Sequence, residues 1–405
     1  MQARVGTHTA TRGLSRGCRE ATADVGLTGC KSAGLCVWVR AIFTGFITLV
    51  CRLCGSADPQ RDTLGINLRR TIAQFNISCA SVSENIPRQR NVLNPASHLL
   101  HKVSYSLFLR AYYLKYLFSE LRKEEYCRRQ LGIRRFTDLD LCSVKRSDTL
   151  FILASGSSIN KISPARWDAI AGYDSIGFNF WPIHAFIPNM YFMEAIPTNH
   201  PHEMFELFCR IARQRAQDYR WVTKVVTELR YVLPAKRFAG SEEFPGPWYT
   251  LHTFPVAAST LGEFAYGLSY LQSKGLFDTT VPINVVFKQA STLSSLIALA
   301  IRMQYRIIVL CGVDLIHSEY FYQDAALYPK AASLEFSPRH QPHATNSPMP
   351  WRITIESVIL EMKRQLLDPM GVQLYVENRS SALWPRIAEA PASLFATQKV
   401  PAVVP

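Results

Sequence analysis

From about residue 148 the chain alternates short, unbroken apolar runs with longer stretches of helical periodicity, a pattern few folds accept. The runs are 150–154, 174–180, 189–195, 281–287, 306–315 and 372–378. Each is continuous rather than alternating, so each predicts a strand buried on both faces. Between them, 163–171, 200–217, 292–304 and 355–371 predict helices, the last ended by Gly371. Residues 221–227 fit a strand or a helix. Residues 234–256, rich in Pro, Gly and aromatics, predict a loop, and so does the polar, His- and Pro-rich stretch 317–350. Strand–helix alternation predicts an α/β fold with a mostly parallel sheet and helices on both faces. No internal repeat is visible. Such sheets bind ligands beyond the carboxyl ends of their strands. Those ends carry Ser155–Ser158, Asn179, Glu194, Lys288–Thr292, Asp314, Ser380 and Ser381, which are expected to converge on one crevice.

The first 150 residues read differently. They hold 23 Lys/Arg against 11 Asp/Glu, while the rest of the 405-residue chain holds 22 against 20. A basic segment meets either nucleic acid or an anionic membrane surface. No nucleic-acid motif accompanies the charge, so a nucleic-acid partner is not expected. Residues 1–30 lack apolar periodicity and read as disordered. Residues 32–51 are the most hydrophobic stretch and are long enough for one membrane span, but Arg40 near the middle opposes insertion. Residues 97–131 predict a long helix with interleaved Tyr, Phe, Lys and Arg. It lies either at a membrane interface or packed on the following domain. The expected organisation is a disordered or membrane-associated segment over 1–60, a basic helical extension over 61–147, the α/β domain over 148–390 and a tail over 391–405. Eight of the ten cysteines precede residue 143, irregularly spaced. Cys51 and Cys54 form a lone C-x-x-C without a second pair, so free thiols in a reducing compartment are expected rather than a zinc site.

The stretch FILASGSSI, 151–159, ends a strand in a hydroxyl-rich turn. It lacks the glycines of a dinucleotide fingerprint and the Lys of a P-loop. Either it cradles an anion on backbone N–H groups, or it is a capped strand–helix corner. Asn179 ends the next strand and either reads a base or sugar or caps a turn. Asp314, in CGVD, either binds a sugar or metal or holds its loop by accepting backbone N–H groups. Asp138 and Asp140 form a D-x-D, but before the sheet begins, so no metal site is expected there. The loop EYFYQD…RHQPHATN offers Tyr320, Tyr322, His340 and His343. A His there can take a proton from an acceptor hydroxyl near neutral pH. Tyr hydroxyls can stabilise a departing phosphate. The alternative is a surface loop with scattered aromatics.

In order, FILASGSSI, DSIGFNFW, STLSSLIALAIRMQYRIIVLCGVDL, a Tyr-bearing loop and a late His resemble the bacterial sialyltransferases of glycosyltransferase family 42, over about residues 149–385. The helix–strand unit ending in Gly-Val-Asp is the most specific part. The resemblance implies a Rossmann-like fold and metal-independent, inverting transfer from CMP-sialic acid with a His as general base and no cofactor. It implies His343 as the base, with His340 in reserve, and Tyr322 at the departing phosphate. A second phosphate-side Tyr of the family falls at Ile316, where Tyr320 substitutes from nearby. Ser155, Gly156, Ser158, Asn179, Thr292, Ser380 and Ser381 are implied on the donor-nucleotide side. Three positions of the loop, Ala154, Ser155 and Ser157, depart from the family's Gly-Asn-Gly-Pro-Ser form. Glu194 stands where the family has a donor-contacting Asn, and a carboxylate there repels a phosphate or sialate.

The expected activity is therefore a glycosyltransferase, moving a CMP-linked sialic or related acidic sugar to a cell-surface glycan or glycolipid acceptor. The expected setting is cytoplasmic, at the inner membrane through the basic N-terminal part, in lipopolysaccharide biosynthesis. The alternatives are a transferase using another nucleotide sugar and a non-catalytic nucleotide- or sugar-binding protein.

Overall fold

The computed structural model describes residues 105–107, 109–113, 121–194, 202–227, 241–256, 258–278, 283–332, 343–347 and 352–396. Segment 32–51, Cys51, Cys54 and His340 lie outside the described residues. Among the described residues no helix is long and apolar enough to cross a membrane.

The strands are β1 (Arg134–Arg135), β2 (Thr149–Leu153), β3 (Asp174–Phe178), β4 (Met190–Glu194), β5 (Thr223–Thr227), β6 (Trp248–Thr250), β7 (His252–Pro255), β8 (Val285–Lys288), β9 (Ile307–Cys311) and β10 (Gln373–Val376). Eight of them form one sheet in the order β1-β6-β5-β4-β3-β2-β9-β10. Every pairing in it is parallel. The chain thus lays β2 to β6 outward in one direction and returns to place β9 and β10 on the other side of β2. The order reverses between β2 and β9, where a parallel sheet leaves a crevice at its carboxyl edge. β7 and β8 form a separate two-stranded parallel sheet.

The main helices are α1 (Leu121–Leu131), α2 (Pro164–Ala171), α3 (His202–Gln214), α4 (Leu261–Ser273), α5 (Thr292–Arg302) and α6 (Ile355–Met362), the last continued by one π-helical turn, Lys363–Leu367. Their starts are locally encoded. Ser163 caps α2 ahead of Pro164 at its first position. Thr260 and Glu263 form a reciprocal capping box on α4. Ser291 caps α5 by accepting from Leu293 N–H at 3.2 Å.

Two apolar clusters show why the strands read as unbroken apolar runs. Leu150, Ile152, Ile176, Phe178, Phe192, Val225, Ile308 and Leu310 pack on one face with residues of α4, α5 and α6. Phe151, Leu153, Tyr191, Met193, Val226, Val309 and Cys311 pack on the other with residues of α2 and α3. Successive strand residues point to opposite faces, so both alternate sets must be apolar. Helix α5 is buried at every position, Thr292 to Arg302.

The predicted loop 234–256 is corrected: it contains β6 and β7. Both are short, and the chain changes sheets between them. Leu251 N–H donates to Val226 O at 3.0 Å, and His252 N–H donates to Asn284 O at 3.0 Å. Few residues are left in either sheet, too few for a readable period. Residues 221–227, open between strand and helix, resolve as β5. Of the long helix expected over 97–131, residues 105–107, 109–113 and α1 are helical. Helix α1 is tied to the second sheet by a buried contact between Glu124 and His252 Nδ1.

Candidate active site

Two clusters of predicted residues form at the carboxyl edge of the sheet. The first lies at the switch point between β2 and β9. Chain closeness there depends on Gly156 and Gly312. Gly156 N–H donates to Gly312 O at 2.8 Å. A Cβ on Gly156 would lie 2.5 Å from that oxygen and 2.6 Å from Asp314 Oδ2. Gly312 has φ +68°, the left-handed region open to glycine.

Asp314 binds the Ser-Gly-Ser-Ser turn. Its carboxylate accepts from Ser158 N–H at 2.9 Å, from Ser158 Oγ at 2.5 Å and from Ser157 Oγ at 3.4 Å. Ser157 N–H donates to Glu319 O at 3.2 Å. The N–H groups of Gly156, Ser157 and Ser158, candidates to cradle a phosphate, are therefore engaged within the protein, and Ser158 is buried. Asp314 holds a neighbouring turn rather than its own loop. Ser381 is also buried, its Oγ donating to Val313 O at 2.5 Å, and Ala382 N–H donates to Asp314 O at 2.9 Å. Ser380 is exposed and turns its hydroxyl to Asn378. Ser155 and Gly156 keep partial exposure at the rim.

The loop after β9 folds back over this turn. Gly156 and Tyr320 form an isolated antiparallel bridge, and Phe321 N–H donates to Ser155 O at 2.8 Å. Gln323 Oε1 accepts from Tyr320 N–H at 2.7 Å and fixes the loop. The rings of Tyr320 and Tyr322 stack at 5.2 Å with 13° between planes. His343 approaches Tyr320 edge-on, with Nε2 3.3 Å from the Tyr320 hydroxyl. Its Nδ1 lies 2.8 Å from Thr345 Oγ1 and 3.3 Å from Thr345 N. Thr345 N–H donates to Nδ1, so Nδ1 accepts and the proton of the neutral ring sits on Nε2, facing the Tyr320 hydroxyl. Burial, and then Arg352, lower the His343 pKa from its ordinary 6.5 and favour the neutral ring. Burial, and then Tyr320, push Tyr322 well above 10, so it stays a hydroxyl donor. Tyr322 also packs against Phe180, at 5.8 Å, next to Asn179. Asn179 holds φ +53°, a conformation Asn tolerates better than most residues. Its N–H donates to Phe192 O at 3.1 Å, and its own carbonyl accepts from Tyr191 Oη at 2.5 Å. No hydrogen bond engages its side-chain amide among the described residues.

The second cluster lies at the ends of β4 and β8. Glu194 Oε1 accepts from Lys288 Nζ at 2.9 Å and from Thr292 Oγ1 at 2.7 Å. Glu194 is thus charge-compensated within the protein. Lys288 stood among the strand-end polar residues, but nothing in VVFK announced its partner. Thr345 was likewise unremarked, because its role depends on a turn that brings it onto His343.

Among the described residues no group of three or more His, Cys, Asp or Glu side chains is placed to hold a metal ion. Two clefts open elsewhere, one lined by Lys363, Gly371 and Arg386, the other by Arg110, Tyr266 and Tyr270.

No protein-family model matches the chain, and no curated protein matches it. Among solved structures it is similar to the apo form of an α-2,3-sialyltransferase from Campylobacter jejuni, at 13% identity and a TM-score of 0.31, over 61% of this chain and 83% of that one. At that score the likeness decides nothing about this chain's chemistry.

Proposed function

We propose that the protein is a glycosyltransferase that moves a sugar from a nucleotide-sugar donor to a glycan acceptor, with inversion and without a metal. The observation that carries this reading is the convergence of Tyr320, Tyr322 and His343 on the Ser155–Gly156 turn at the switch point. In this mechanism His343 accepts the acceptor hydroxyl's proton as that hydroxyl's oxygen forms a bond to the anomeric carbon. The bond from that carbon to the phosphate breaks on the opposite face. Tyr320 and Tyr322 donate hydrogen bonds to the leaving phosphate as its charge grows. Ser155 and Asn179 meet the nucleotide, while Ser158, Asp314 and Ser381 shape its floor. The sequence resemblance makes a CMP-linked acidic sugar the first donor to assay, with a lipid-linked surface glycan as acceptor. Contact with the membrane through the basic N-terminal part belongs to the same proposal.

The test is His343→Ala. Loss of general-base catalysis lowers transfer by about 10²–10⁴-fold, with nucleotide affinity and thermal stability near wild type. Full transfer by a folded variant overturns the assignment. The rate should also decline on acidification through the lowered His343 pKa, below 6.5. A second reading, nucleotide or sugar binding without catalysis, draws on Asp314 engaging the turn's donors. Nucleotide binding with neither transfer nor donor hydrolysis would support it.

A further inference from the structure

Glu194 is held from two directions through a single oxygen. Lys288 Nζ and Thr292 Oγ1 both engage Oε1, at 2.9 and 2.7 Å. No hydrogen bond among the described residues engages Oε2, although the side chain keeps 21% exposure at the strand end. Its support is stiff: Thr292 belongs to α5, which is buried along its whole length, and Lys288 N–C=O lies in the ladder, its carbonyl accepting from Val256 N–H at 3.0 Å. Such a carboxylate is a pre-oriented acceptor. It makes a charge-assisted hydrogen bond to an incoming O–H or N–H and repels an incoming anion. Lys288, the cation beside it, is already paired with Glu194 and offers a bound anion little compensation. β4 lies two strands from β2, so Glu194 sits about 10 Å across the carboxyl edge from the Ser155–Gly156 turn. That is within the span of a nucleotide sugar.

We infer that Glu194 is a specificity-determining residue: it reads a hydroxyl of the donor sugar through Oε2 and selects against a donor that presents a carboxylate there. This rests on the glycosyltransferase reading and narrows its donor to a sugar that is uncharged on this side. It sets the structure against the acidic sugar that the sequence resemblance implies.

Calorimetric titration of the full chain with UDP, UDP-glucose, UDP-glucuronate, CMP and CMP-neuraminate tests it. UDP-glucose and UDP-glucuronate differ by one carboxylate in place of a hydroxymethyl group. If the protein binds UDP, the neutral sugar nucleotide should bind at least ~10-fold more tightly than the carboxylated one, a discrimination in the range one buried polar contact provides. If it binds CMP alone, CMP-neuraminate should bind more weakly than CMP. In either series Glu194→Gln should erase most of the difference. Tighter wild-type binding of the carboxylated sugar overturns the inference. So does equal binding of the two, or discrimination that Glu194→Gln leaves intact. Those results leave the glycosyltransferase reading standing, because free nucleotide still binds. Absence of binding by every nucleotide overturns both. The wild-type comparison stands whether or not the variant folds.

Discussion

Burial lowers the pKa of both His184 and His343, but only His343 faces a hydroxyl through its second nitrogen. His184 sits among Trp167, Trp181 and Phe321, and its Nδ1 accepts from Phe186 N–H at 3.0 Å. Burial, and then Arg215, bring its pKa down to about 4 from 6.5. Between those two values the unfolded chain takes up a proton that the folded chain refuses. The stability contribution is therefore complete above pH 6.5 and is lost as the pH falls toward 4. The full shift is worth about 3 kcal/mol. Urea unfolding at pH 7, 5.5 and 4 should show this decline, and His184→Phe should flatten it. A wild-type curve with no slope in that window rules the account out. For His343 the same physics serves the proposed chemistry, because a base must be neutral at working pH to accept a proton.

At the scale of elements, the strand-end turns are held by one another more than by their own strands. Asp314, at the end of β9, binds the turn that ends β2, and Ser381, after β10, binds the chain after β9. Asp314→Ala removes the acceptor for a buried hydroxyl and a buried N–H at once. Leaving such groups unpaired costs about 1–3 kcal/mol apiece. Gly156→Ala should be comparably harmful for a different reason. Its backbone φ of −65° suits alanine, but the added Cβ meets Gly312 O and the Asp314 carboxylate. Overpacking of this kind costs about 1–3 kcal/mol. Both variants should unfold at lower temperature and bind nucleotide more weakly. If Gly156→Ala melts like wild type, the two turns are not packed as described.

On the scale of the whole molecule, stability comes from a sheet covered on both faces. Ile152 and Phe151 are adjacent in β2 and fully buried, one in each apolar cluster. Ile152→Ala should cost about 2–5 kcal/mol, the range for large-to-small changes in a packed core. The denaturation midpoint should fall with the slope unchanged, since the exposed surface on unfolding is nearly the same. A loss below 1 kcal/mol, read from the same titration, would mean that this face is not packed against α5 and α6.

Much of this architecture is written in local patterns. Continuous apolar runs predict parallel strands because both faces are covered, and all six of them contain strands. Ser163 and Ser291 mark helix starts because a hydroxyl at that position satisfies a free N–H. The candidate site was legible as a set of strand-end polar residues, since a parallel sheet exposes only its edges. Which of them touch was not legible. That Asp314 holds Ser158, that Glu194 pairs with Lys288, and that Thr345 orients His343 depend on separations of 156, 94 and 2 residues being closed by the fold. The buried Lys224 is a further case. It stands in an apolar strand, and its Nζ donates to the carbonyls of Tyr219, Val222 and Pro245 at 2.5, 3.2 and 2.7 Å. Periodicity is a property of neighbours along the chain, and it determined most of the strands and helices and the edge where the candidate residues gather. Hydrogen-bond partners are properties of neighbours in space, and only the tertiary structure decided which turn receives a carboxylate and which carboxylate is held by Lys288 and Thr292.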